Sequence, residues 1–337
     1  MVGIEMKQAL RAAASALALI VLTACATQTE TAQDAQAPAR TETVSFAPAT
    51  PEQGATILSA NDEYLSVLSP ADLSIRLQGR SGTGADLGRV YAGATQAWNA
   101  DESERLRLMV VRHRARLNQL ATWLPDTVYF IKGTRAIEGG IPHTRGPAIF
   151  FGPELPGTEA ELDGLFMHEL FHVLSRESAA RHDDIYGIIG FVRCEAVLPQ
   201  SMTDRTITNP DAPAVEHASP ISESDTSLLA TPLLFADPGR YDPSKQNLGQ
   251  YFDPELQLLR RGADGKCRPA EGVSMSQDAI RNAIFARSGR NTNYMFHPEE
   301  LMADNFSQMM MGQSVSDPWV HERLAALLGV DRPARRP

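Results

Sequence analysis

The pentapeptide His168-Glu169-Leu170-Phe171-His172 restricts what this chain can become more than any other feature of its sequence. On a helix, residues four apart stand one turn above each other on a single face, so both imidazoles can reach one ion. Glu169 lies beside them, where a carboxylate can take a proton from water. Two neutral imidazoles, a carboxylate and one open position suit zinc, whose catalytic sites use three protein ligands. The spacing therefore predicts a helix over 158–176, one Zn2+ per chain held by His168 and His172, and Glu169 as general base.

A third ligand has to come from elsewhere. A histidine or aspartate ligand close behind the motif would need Gly at 175 and His or Asp at 178, whereas Ser175 and Ser178 stand there. Of the glutamates that follow His172, only Glu300 has an aspartate, Asp304, four residues on. On one helical face Glu300 would reach the metal while Asp304, one turn along, accepts the outer N–H of a ligand histidine and fixes its tautomer. Glu195, in Arg193-Cys194-Glu195-Ala196, and Glu299 are the alternatives.

The two stretches, His168-Glu169-Leu170-Phe171-His172 and Glu300-Leu301-Met302-Ala303-Asp304-Asn305-Phe306, resemble the gluzincin peptidases, the superfamily of thermolysin. The resemblance covers two helices, and the interval between them is longer than in most gluzincins. It implies His168, His172 and Glu300 as zinc ligands, Glu169 as base, and Asp304 behind a ligand histidine. The implied activity is zinc-dependent hydrolysis of a peptide or protein. By the same resemblance Tyr294, ahead of the second helix, would stabilise the oxyanion, and 148–151 would be an edge strand that pairs with extended substrate. His143 and Arg145 are further candidates for substrate contact. The rival readings are a zinc amidase acting on peptidoglycan and an envelope lipoprotein that uses the fold for binding or assembly.

Elsewhere, Leu106, Met109, Val110, Leu117, Leu120 and Leu124 recur at helical spacing, which predicts a helix over 102–124 stopped by Pro125. Runs of β-branched and aromatic residues predict strands at 127–131 and 148–151. Helices are expected at 278–288 and 299–311, with Pro298 at the first helical position of the latter. Between 181 and 298 the pattern is weak and no fold follows from it. Asn209-Pro210-Asp211 reads as a turn, and Met309-Met310-Met311 as packing. The expected class is α+β: a zincin-like domain with a small sheet on the motif helix and a mainly helical C-terminal part.

At the N-terminus, Lys7 and Arg11 precede an apolar run, 12–22, which falls short of the ~20 residues needed to cross a bilayer. Leu22-Thr23-Ala24-Cys25 resembles the bacterial lipoprotein box, which implies a signal at 1–24 and a diacylglycerol on Cys25. The polar stretch 25–53 reads as a flexible tether, 54–330 as the metallopeptidase-like domain and 331–337 as a tail. By resemblance to enterobacterial lipoprotein sorting, Ala26 after that cysteine implies the outer membrane, facing the periplasm. In that oxidising compartment Cys194 and Cys267 are free to pair. The membrane is thus an expected partner through the lipid, whereas a net charge of -10 excludes nucleic acid, which needs a basic face.

Overall fold

A computed structural model describes residues 43–331. The expected leader, Cys25 and most of the expected tether lie outside those residues, as does the tail from 332 on. The tether ends earlier than the sequence suggested. Ser45–Pro48 is already a strand and Pro51–Ser59 a helix, because Val44 is buried and Phe46 packs on Phe130 and Phe166 with ring centroids 6.2 and 5.8 Å away. Two large side chains in a Thr- and Pro-rich stretch were enough to anchor it.

The chain folds as α+β with two sheets. The first contains β1 (Ser45–Pro48), β2 (Thr95–Gln96), β3 (Thr127–Gly133), β4 (His143–Arg145) and β5 (Ala148–Phe150). Its order is β1-β3-β5-β4, with β2 pairing on the end of β3. Strands β1, β3 and β5 run parallel, while β4 runs antiparallel to β5 and forms the edge. The segment 148–151 is therefore interior rather than an edge, and the outer strand on that side of the sheet is β4.

One face of this sheet packs on the helix Glu159–Glu177, which carries the pentapeptide. Its start is fixed by reciprocal bonds: Glu161 N donates to Thr158 Oγ1 at 3.2 Å, and Thr158 N to Glu161 Oε2 at 3.0 Å. Phe166 lies edge-on to Phe130 with ring centroids 5.9 Å apart, so the helix is seated by aromatic packing against β3. On its other side lies the helix Pro298–Met310, with Phe171 and Phe306 at 5.6 Å and a hydrogen bond from Ser307 Oγ to Gly164 O at 2.8 Å. The three methionines 309–311 are buried at the end of that helix.

The weakly patterned segment turns out to hold a second, antiparallel sheet, so the C-terminal part is not mainly helical. It comprises β6 (Val192–Arg193), β7 (His217–Pro220), β8 (Leu228–Ala236), β9 (Phe252–Arg261) and β10 (Cys267–Pro269), ordered β10-β9-β8-β7-β6. The β8–β9 ladder holds it together over nine residue pairs, Leu228↔Arg260 to Ala236↔Phe252. Pro232 and Pro254 interrupt both runs in the sequence, which is why propensity failed to announce them. A disulfide joins Cys194 to Cys267, whose Cα atoms are 5.6 Å apart. Two helices follow, Gln277–Ser288 ahead of the Glu300 helix and Pro318–Leu328 after it.

Candidate metal centre

His168 and His172 project from one face of the motif helix toward the first turn of Pro298–Met310. That turn starts on His297, whose Nδ1 accepts from Glu299 N at 3.1 Å while its Nε2 donates to Ala214 O at 3.2 Å. Both roles require a neutral ring, and burial holds His297 down at about 4. The cap thus places Glu299 and Glu300, adjacent in sequence, on two different tasks.

Glu300 faces the histidines. Its Oε2 lies 3.2 Å from His168 Nε2 and 3.6 Å from His172 Nε2, so three donor atoms converge on one point. Its Oε1 accepts from Asn209 Nδ2 at 2.7 Å, which turns the other oxygen inward. Glu299 stands behind His172: it accepts from His172 Nδ1 at 2.8 Å, Ser175 Oγ at 2.7 Å and Tyr186 OH at 2.6 Å. Asp304 does the same for His168, accepting from Nδ1 at 3.0 Å, and is itself bonded by Thr292 Oγ1. Each imidazole therefore spends Nδ1 on a carboxylate and points Nε2 at the common centre, the arrangement that fixes the tautomer a metal needs.

Charge follows from this geometry. Burial opposes a charged His168, yet its hydrogen bonds to Asp304 and Glu300, which accept, overcome it and hold the imidazole up at about 10. His172 is likewise raised, against burial, by Asp211 and Glu300. Glu169 goes the other way for a carboxylate: burial and the neighbouring Asp211 push it up to about 8. Its Oε2 is buried without a hydrogen-bond partner. The donor atoms of His168, His172 and Glu300 lie within 4.8 Å of one another and could hold a metal ion. Glu169, His172 and Asp211 satisfy the same distance.

The centre opens into a cleft of about 330 Å³, walled on one side by β8 and β9 of the second sheet. Tyr294 lines it, half-exposed, with its ring 6.0 Å from that of His168. His143 also lines it, with Nδ1 3.0 Å from Ile141 O and a buried, unpartnered Nε2. Arg145 does not: it is fully buried, paired with Asp62 at 2.5 Å and stacked on Tyr64, so it holds the edge strand rather than a substrate. Glu195 is at the surface in an ion pair with Lys266 and is not among the groups that converge with the histidines. Four contributors were not legible beforehand. Asn209 and Asp211 sat in an apparent turn, Thr292 lay outside any helix, and Glu299 looked only like a competitor of its neighbour. No family model, curated protein or solved structure matches the chain.

Proposed function

We propose that this chain is a zinc-dependent metallohydrolase with a zincin-like site, acting on peptide bonds. The observation that carries the reading is the division of labour within each imidazole: Nδ1 on a buried carboxylate, Nε2 on a shared centre with Glu300. Two nitrogens and one carboxylate oxygen are the donor set of a catalytic zinc, and a structural site would have no use for the unpartnered Glu169 beside it. His168, His172 and Glu300 would hold the ion, which supplies positive charge to polarise a carbonyl and to acidify a water toward pKa ~7.

The remaining work falls to the protein. Glu169, buried and proton-hungry, takes the proton from the attacking water and returns it to the leaving amine. Tyr294 reaches the cleft from the His168 side, where its hydroxyl can donate to the developing oxyanion. Asp304 and Glu299 hold the two rings in place. The apolar β8–β9 wall suits peptide side chains. The Cys194–Cys267 disulfide supports the reading of an exported chain, since such bonds persist outside the cytoplasm. Among the described residues no helix is long and apolar enough to cross a membrane.

The test is Glu169→Gln, assayed with casein and with purified sacculus in parallel, alongside metal analysis. The expected result is one zinc per chain in both proteins and a casein turnover roughly 10²–10⁴-fold lower in the variant. Full activity in Glu169→Gln sinks the mechanism. Digestion of sacculus in place of casein moves the substrate to peptidoglycan.

A further inference from the structure

Between Thr206 and Ala214 the chain crosses the cleft and is fastened at almost every step. Ser69 Oγ donates to Thr206 O at 2.7 Å, Thr208 N to Asp72 Oδ1 at 3.1 Å, and Arg76 Nη2 to Thr208 O at 3.2 Å. Asn209 holds Glu300, Arg176 Nη2 reaches Pro210 O and Asp211 O at 3.2 and 3.3 Å, and His297 holds Ala214 O. So many ties make this strap a fixed wall of the site, not a lid.

Its placement decides how a substrate can lie. Asp211 Oδ1 accepts from both Thr144 N and Thr144 Oγ1, each at 2.7 Å, and Arg176 Nη2 lies 3.5 Å from Thr144 O. Thr144 is the middle residue of β4, the edge strand. A peptide adding to that edge would need those outward-facing groups, and they are already engaged. An extended substrate must therefore stop at the strap. At the stopping point stands a carboxylate, with an oxygen within 4.8 Å of Glu169 and of a His172 ring nitrogen. Thr144 serves only one oxygen of Asp211, and among the described residues no lysine or arginine pairs with it. Beside it, Glu169 Oε2 is buried and equally without a donor.

A blocked end, an acidic group with an oxygen to spare and an unpartnered buried carboxylate call for a small cation carrying several N–H donors. The chain terminus of a peptide is such a group. We propose that Asp211 receives the free α-ammonium of the substrate, so that the centre removes amino-terminal residues from short peptides. Leu198, Ile207, Leu233, Leu234 and Phe296 line the same cleft and suit an apolar first side chain. The bond broken is the first peptide bond: the hydroxyl of water goes to the carbonyl carbon, and its proton passes through Glu169 to the leaving nitrogen. This inference rests on the peptidase reading above.

The experiment is calorimetric titration of zinc-loaded protein with leucine hydroxamate and with its N-acetyl derivative. Both can bind the metal, and only one carries the ammonium. The free amine should bind at least tenfold more tightly, as a charge-assisted hydrogen bond implies. Asp211→Asn should erase that preference while retaining one zinc per chain, and the comparison within the wild type needs no variant to be interpretable. Equal affinities in the wild type overturn the ammonium site and leave the metal reading standing. Binding of neither compound overturns the metal reading and this inference with it. Tighter binding of both compounds to Asp211→Asn overturns it too, since Asp211 would then be an obstruction.

Discussion

Two clusters of buried charge lie close together in this protein and are built on opposite plans. In the first, Glu138 accepts from Arg76 Nε at 3.0 Å and from the hydroxyls of Tyr64 and Tyr91, while Asp72 pairs with Arg76 and takes Thr208 N and Oγ1. Fixed positive charge and donors account for every carboxylate there. In the second, Glu169, Glu299, Glu300 and Asp304 surround two imidazoles, and among the described residues no lysine or arginine forms an ion pair with them. Buried carboxylates need a counter-charge. The first cluster carries its own; the second leaves a gap that a metal ion could fill.

The sharpest way to break that distinction is to remove one carboxylate from each cluster. Glu138→Ala leaves Arg76 only its pair with Asp72 and takes the acceptor from the buried Tyr64 and Tyr91 hydroxyls, and should lower the free energy of unfolding by ~3 kcal/mol, with metal content unchanged. Glu300→Ala should abolish zinc uptake and leave the stability of the metal-free protein within ~1 kcal/mol of wild type, because it deletes negative charge where negative charge is in excess. Urea unfolding and elemental analysis on both variants read the two effects separately. Metal loss in Glu138→Ala, or equal destabilisation by the two, would merge the clusters into one.

Acid sharpens the comparison. Burial raises the Glu138 carboxyl, yet Arg76, His143 and the Tyr64 hydroxyl outweigh it and hold the group down at about 2, against an ordinary 4.5. A depressed carboxylate gives stability that is complete above about 4.5 and is lost as pH falls toward about 2. The difference corresponds to about 3 kcal/mol. Chemical denaturation between pH 6 and about 2 should show this acid limb in the wild type and a flatter one in Glu138→Gln; identical limbs would remove Glu138 from the account.

Much of the second cluster was legible and almost none of the first. His168, Glu169 and His172 announce themselves because helical geometry turns a five-residue pattern into a shared face, and Asp304 marks Glu300 by the same periodicity. Glu138 carries no such mark: its partners come from positions 64, 76 and 91, and only the packing of short helices onto β3 and β5 joins them. Asn209 and Asp211 were hidden for a related reason. A strap makes its contacts through individual side chains and carbonyls, with no period to read, and the sheet that supports it is interrupted by proline. The α+β class, the motif helix and the Glu300 helix follow from local pattern, whereas the edge position of β4 depends on a pairing order that local pattern does not encode.

The smallest effect separates the two glutamates at the start of the second helix, which sequence alone could only rank against each other. Glu300 faces the shared centre, while Glu299 touches only the far nitrogen of His172, Ser175 and Tyr186. Glu299→Gln keeps the shape and removes the charge that orients the ring, so zinc should still bind, with Kd raised roughly 10–100-fold in chelator competition. Asp304→Asn should cost less. Its side chain is 29% exposed against 1% for Glu299, and water can replace part of what it supplies to His168. Glu195→Gln, altering only a surface pair with Lys266, should leave Kd unchanged. Complete loss of zinc in Glu299→Gln would mean that Glu299 binds the ion itself and that the carboxylate now placed behind the ring belongs in front of it, whereas a larger cost for Asp304→Asn would mean that burial does not set what each carboxylate supplies to its ring.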